Sequence, residues 1–107
     1  MIKLITSPLQ PSLCSASERH AKPLRVGLFQ MRWNSDPKAH VARLQEGVAT
    51  CAHAGAELVF LPELTLSRYP ADKRPQADKD RQPERLEDGP TIAFAQEAAR
   101  ANDVFVQ

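Results

Sequence analysis

The sequence predicts a small α/β chain whose elements follow one another in the order β-α-β-loop-α-β. Two short apolar segments, 25–31 and 58–61, have the length and composition of buried strands. An amphipathic segment separates them, and a second helical segment and a third apolar segment come after them. Strands joined through a helix are parallel with a right-handed crossover, so this order predicts a parallel sheet.

The first helix is predicted between Asp36 and Gly55. Asp36 is a candidate N-cap, and Pro37 takes the first helical position, where its missing N–H costs no hydrogen bond. Apolar side chains recur at the three- and four-residue spacing of an amphipathic helix: Val41, Leu44, Val48 and Cys51. We expect Gly47 to weaken this helix by about 1 kcal/mol relative to alanine. Gly55 is expected to end it with a positive φ.

The second strand is followed by a long polar connection, 62–90. Eleven of the twenty residues in 71–90 are charged, and prolines interrupt any helix there. Connections of this length inside compact domains are usually functional or disordered. The second helix is predicted to open at 88–90 and to close at Asn102 in the left-handed conformation.

The third strand begins at Val104, and the sequence stops on it. An apolar strand is a poor place for a domain to finish, because its open edge needs a partner. We therefore expect 23–107 to be a partial domain. Residues 1–22 are rich in serine and proline and lack periodicity, which predicts an irregular N-terminal extension. Because the predicted strands are apolar on both faces, a parallel sheet built from them needs a covering layer on each side.

Composition excludes several classes of protein. Fourteen lysines and arginines against thirteen acids leave a net charge of +1, so there is no excess of positive charge to bind nucleic acid or a membrane surface. No apolar run has the length of a membrane span. No histidine has metal-ligand spacing, and His40 and His53 are expected to be exposed helix residues. A soluble, cytoplasmic protein without a metal site is the expectation.

Glu63 is the candidate catalytic residue. It follows an apolar strand and Pro62, so it is expected at the carboxyl end of a parallel strand, the edge at which sites in open α/β sheets gather. A carboxylate in partly desolvated surroundings suits a general base. On residue type alone, a solvated glutamate at the start of a surface loop is the more common case.

The pattern around Glu63 resembles a known family. Val-Gly-Leu-Phe-Gln at 26–30, then the helix, then Leu-Val-Phe-Leu-Pro-Glu-Leu at 58–64 is similar to the N-terminal part of the nitrilase (carbon–nitrogen hydrolase) superfamily. Tyr69 lies where that family commonly has a tyrosine, which implies a substrate-binding residue. One departure is Arg68, because the family often has glycine before that tyrosine.

The resemblance covers residues 24–107 and implies a fold. The helix opening at 89–91 and the strand at 104–106 fit the next elements of the family. The chain is thereby expected to be the N-terminal part of an α-β-β-α nitrilase-like sandwich, truncated before the second half. The complete enzyme is expected to be a homo-oligomer that acts on a small-molecule amide or nitrile.

The resemblance also implies a Glu–Lys–Cys triad that hydrolyses non-peptide amide, carbamoyl amide or nitrile bonds without a cofactor. The cysteine attacks, the glutamate accepts its proton and the lysine stabilises the charged intermediate. Of the three, this sequence matches only Glu63. Cys51 is expected to be a core residue, and Cys14 precedes the fold. Lys73 and Lys79 follow the glutamate too closely for the family's order.

Amidase or carbamoylase activity is preferred to nitrile hydrolysis, and the isolated chain is expected to be inactive. One alternative is a non-catalytic module that pairs with a partner chain across its open sheet. Another is a nucleotide-binding βαβ domain, although 31–36 is not the glycine-rich turn that such a domain needs. Arg68, Lys73 and Arg74 are candidates for meeting an acidic substrate group, but a solvated mixed-charge loop is the more common arrangement.

Overall fold

The computed structural model describes residues 1–8, 23–72, 74 and 83–107. Its elements confirm the predicted α/β class and order. They are β1 (Val26–Leu28), α1 (Pro37–His53), β2 (Leu58–Phe60), a 3₁₀ helix (Pro70–Asp72), α2 (Pro90–Asn102) and β3 (Phe105–Val106). Each strand is shorter than the apolar segment that predicted it.

The three strands form one parallel sheet with β2 in the centre. Leu58 of β2 lies opposite Val26 of β1 on one side and opposite Phe105 of β3 on the other. The pairing continues past the strand ends, where the Phe29 amide donates to the Phe60 carbonyl at 2.9 Å. Because the strands are adjacent in chain order, right-handed crossovers place both helices on the same face of the sheet. In agreement, α1 packs against α2.

The strand register assigns each residue to one of the two sheet faces. Gly27, Val59 and Val106 are cross-strand partners on the helix-covered face, and Val59 is completely buried there. The opposite face is also apolar and is called the open face: Val26, Leu28, Leu58, Phe60 and Phe105. Two of these side chains, Leu28 and Phe105, are 79% and 76% exposed. The described helices thus cover one face of the sheet, and Leu28 and Phe105 remain exposed on the other.

The core lies between the sheet and the two helices. It consists of Phe29, Leu44, Val48, Cys51, Ala56, Val59, Phe94 and Ala98. Cys51 is therefore a core residue, as predicted, and burial raises the pKa of its thiol.

The ends of α1 follow the local signals in the sequence. The Asp36 carboxylate accepts a hydrogen bond from the Lys38 amide at 3.0 Å, which makes it the N-cap. Gly55 has a φ of +89° just after the helix, where the Arg25 guanidinium also donates to the Ala54 carbonyl at 3.0 Å. Both predicted boundaries are confirmed.

The N-terminus of α2 depends on a residue that the sequence did not single out. Gly89 is the N-cap and has no side chain that could accept a hydrogen bond from the first turn of the helix. Glu84 accepts these hydrogen bonds instead. Its two carboxylate oxygens accept from the amide and the hydroxyl of Thr91, each at 2.9 Å. A negative group is favourable at this end of a helix because it faces the positive end of the helix dipole.

The C-terminus of α2 lies one residue beyond the prediction. Asn102 is still helical, and Asp103 takes the left-handed conformation with a φ of +52°. The prediction for Asn102 was wrong because its side-chain amide donates to the Ala98 carbonyl one turn earlier, at 2.9 Å. That bond holds it in the helix, and aspartate is among the residues that tolerate the left-handed region.

Residues 1–8 are mostly exposed, but Ile2 packs against the core. The Arg43 guanidinium donates to the Met1 carbonyl at 3.4 Å. The rest of the predicted extension, with Cys14, lies outside the described residues, as do Lys73 and Lys79. No helix in the described part of the chain is long and apolar enough to cross a membrane.

Candidate functional site

The candidate site lies at the carboxyl edge of the sheet, where β2 leads into a tight turn. We call residues 62–67 the Glu63 turn. Its first residues are tied together because the Thr65 hydroxyl donates to the Pro62 carbonyl at 2.9 Å. Glu63 is thus carried on hydrogen-bonded backbone directly after the central strand, at the edge that the sequence predicted.

The backbone of this turn is strained at Leu64. Its φ is +55°, in the left-handed region that costs a residue with a side chain roughly 1–2 kcal/mol. The Ser67 amide donates to the Leu64 carbonyl at 2.8 Å, and Leu66 packs against the core. Strain of this kind persists only where surrounding contacts hold it. The Ser67 hydrogen bond and the packing of Leu66 against the core therefore help to keep Leu64 in this conformation.

The Glu63 side chain is exposed. It forms no hydrogen bond or ion pair with any other residue that the structure describes. The partly desolvated surroundings expected for Glu63 are not found among the described residues. The carboxylate is consequently accessible to a reacting group that approaches the strand ends.

Tyr69 lies in the same connection, just before the 3₁₀ helix. Its side chain is 57% exposed, and it forms no hydrogen bond or ring contact with another described residue. Arg74 is exposed as well. The structure places Glu63 and Tyr69 after the same strand, and their assignment as catalytic and substrate-binding residues stays a prediction.

His40 joins the Glu63 turn to α1. Its Nε2 lies 2.8 Å from the Thr65 carbonyl oxygen, and its Nδ1 accepts from the Asn34 amide at 3.3 Å. An Nδ1 that accepts requires the neutral ring to carry its proton on Nε2, which then donates to Thr65. The Trp33 ring lies against the imidazole, with centroids 4.4 Å apart. One side chain thus connects the loop after β1 with the turn after β2.

The expectation that His40 is exposed was wrong: it is 5% exposed, whereas His53 is exposed as predicted. The signal was present in the sequence. His40 lies four residues before Leu44 and eight before Val48, so it continues their buried stripe by one turn. The imidazole is tolerated there because both ring nitrogens have partners.

Cys51, the cysteine that the structure describes, lies in the core. Cys51 faces Gly27 on the helix-covered side of the sheet, where an added Cβ on that glycine would lie 2.9 Å from the Cys51 sulfur. Burial raises the pKa of the Cys51 thiol, which disfavours the thiolate that a nucleophile needs. Among the described residues, no group of three or more histidines, cysteines and acids could hold a metal ion.

Comparison with known proteins gives two matches. Residues 25–107 match the sequence profile of a family described as carbon-nitrogen hydrolase. Over an alignment of length 72, which covers 64% of the chain, it is 35% identical to a protein named Omega-amidase, chloroplastic, from Arabidopsis thaliana. The match covers 20% of that protein, so the chain spans about a fifth of the length of this curated relative. No solved structure matches the chain significantly.

Proposed function

Because the chain belongs to the carbon–nitrogen hydrolase family, we propose that it is the N-terminal portion of a hydrolase domain in which Glu63 is the general base. The observation that supports this proposal is the exposed carboxylate on a hydrogen-bonded turn at the carboxyl end of the central strand. A general base must be held at a defined point and remain open to the group whose proton it accepts. In the Glu63 turn, hydrogen bonds hold the backbone that carries Glu63, and the carboxylate itself is exposed.

In the proposed reaction, Glu63 accepts the thiol proton of a cysteine as the sulfur attacks the amide carbon. A lysine stabilises the negative charge of the tetrahedral species, and the proton passes to the departing nitrogen, which leaves as ammonia or an amine. Water then hydrolyses the thioester, with Glu63 again accepting a proton. No described residue of this chain matches the family's cysteine or lysine.

The proposed substrate is a small molecule with a non-peptide amide or carbamoyl amide bond, in preference to a nitrile. The name of the Arabidopsis relative, an omega-amidase, supports an amide. Tyr69 is the proposed substrate contact, since its exposed ring shares the connection that carries Glu63. The open face is proposed to be the surface that the second sheet of an α-β-β-α sandwich covers.

The purified chain is expected to release no ammonia from amide substrates, because two members of the proposed triad are missing from it. A panel of ω-amides, carbamoyl amides and aliphatic nitriles would be incubated with the chain, and ammonia measured by a coupled enzyme assay. Wild-type chain that releases more ammonia than a boiled control, with the release lost in Glu63→Gln, would contradict the proposal that catalysis needs a cysteine and a lysine from outside this sequence.

The open face favours a second candidate, a non-catalytic module that pairs with a partner chain. Its support is the exposure of Leu28 and Phe105, which lie on the two edge strands of the same sheet face, since apolar surface of this kind marks interaction sites. Pairing of this kind accounts for the open face without assigning any chemistry to Glu63.

Under this second candidate, the chain is expected to associate as its concentration rises. Sedimentation velocity would measure this association for the chain and for the double variant Leu28→Thr, Phe105→Thr, which is expected to remain monomeric. Leu86→Thr is the matched control, because Leu86 is equally exposed but lies in the turn before α2. A wild-type chain that stays monomeric and melts cooperatively would argue against a need for any partner.

A further inference from the structure

We propose that His40 is a positioning residue for Glu63, acting through the Thr65 carbonyl. The inference rests on the proposed role of Glu63 as the general base. His40 forms no hydrogen bond with Glu63; its bond to the Thr65 carbonyl holds the Glu63 turn against α1. The backbone that carries Glu63 is thereby positioned by α1 as well as by the contacts within the Glu63 turn.

The contacts around the imidazole define how this works. The Asn34 amide donates to Nδ1, which leaves the proton on Nε2 and directs it at the Thr65 carbonyl. Asn34 is itself held, because its side-chain oxygen accepts from the Asp36 amide at 3.0 Å. Since Asp36 is the N-cap of α1, the chain of contacts runs from the helix N-terminus to the residue two positions after Glu63.

The turn needs such an anchor. Leu64, between Glu63 and Thr65, has a positive φ that an unsupported chain would leave. Within the turn, the described hydrogen bonds come from the Thr65 hydroxyl and the Ser67 amide. The bond from His40 is the one that reaches this turn from α1 among the hydrogen bonds of the described residues. Its burial shields it from competition by water.

Two substitutions of His40 distinguish the role of Nε2 from that of Nδ1. In His40→Gln the side-chain amide can place an N–H donor near the position of Nε2, whereas in His40→Asn the shorter side chain reaches only the region of Nδ1. His53→Gln is the matched control, because His53 is exposed in the same helix. The readouts are the hydrogen exchange of the Ser67 amide and the backbone ¹³C shifts of Glu63 and Leu64, which depend on the backbone angles of the turn, all measured by NMR on the labelled 107-residue chain.

We expect His40→Asn to speed exchange of the Ser67 amide roughly tenfold relative to that of Val48 in α1, the factor that follows from the loss of one hydrogen bond, and to move the backbone ¹³C shifts of Glu63 and Leu64 away from their wild-type values. His40→Gln should restore both values toward wild type, and His53→Gln should change neither. A role limited to general stability would move the exchange of Ser67 and Val48 together and leave the backbone shifts of Glu63 and Leu64 unchanged, which would overturn the proposal. So would a glutamine variant that behaves like the asparagine variant.

The wild-type chain supplies an independent test should the variants fail to fold. The ¹⁵N shifts of the imidazole are expected to show a protonated Nε2 and an accepting Nδ1. A ring protonated on Nδ1 would refute the proposal. None of these measurements depends on catalysis, so an error in the role assigned to Glu63 would appear in activity assays and not here.

Discussion

Glu63→Gln is expected to lower kcat/KM by roughly 10²–10⁴-fold in an active enzyme that contains this segment, the range typical for loss of a general base. Glutamine keeps the shape of the side chain but cannot accept the thiol proton. The enzyme would be a chimera in which the aligned segment of this chain replaces its counterpart in the Arabidopsis omega-amidase. The effect should fall on kcat, because the base acts in the chemical step.

The matched control for this experiment is Glu97→Gln, an exposed glutamate of α2 away from the strand ends. It removes the same charge and should leave kcat/KM within about twofold, since surface substitutions of this kind are nearly neutral. Circular dichroism of both variants would establish that the chimera stays folded. Full activity in the Glu63→Gln chimera would exclude Glu63 as the base and remove the main support for the proposed function.

Local signals in the sequence predicted those parts of the fold that depend on neighbouring residues. The N-cap at Asp36 and the positive φ at Gly55 each follow from the chemistry of one residue and its nearest backbone. The strand pattern identified the parallel sheet, and the Pro-Glu-Leu motif identified the family, which the profile match over 25–107 confirms. These features need no knowledge of distant contacts.

Features that depend on distant contacts were missed. His40 is buried because the turn after β2, twenty-five residues later, supplies a carbonyl for it. Glu84 caps α2 from outside the helix, so the usual search at the N-cap position overlooks it. The exposure of the Glu63 carboxylate was not predicted either, because it depends on which distant segments pack at the carboxyl ends of the strands.

Gly47 shows how a tertiary contact reverses a local expectation. In isolation, alanine at this helix position would be more favourable by about 1 kcal/mol. In the folded chain, a Cβ added at Gly47 would lie 2.6 Å from three atoms of the Phe29 ring, too close for any real contact. Phe29 is itself buried at 8% exposure, so its ring has little room to move. The helix therefore needs glycine here to pack against the residue that follows β1.

Gly47→Ala is accordingly expected to lower the free energy of unfolding by about 1–3 kcal/mol, the usual cost of overpacking a core. Urea denaturation followed by circular dichroism would measure it, with Gln45→Ala as the exposed control in the same helix, expected within about 0.5 kcal/mol of wild type. Combining Gly47→Ala with Phe29→Leu tests the cause, because removing the ring should make the pair less destabilising than the sum of its members. A stabilised Gly47→Ala chain would mean that helix propensity outweighs the contact with Phe29, and that α1 can shift away from the sheet at little cost.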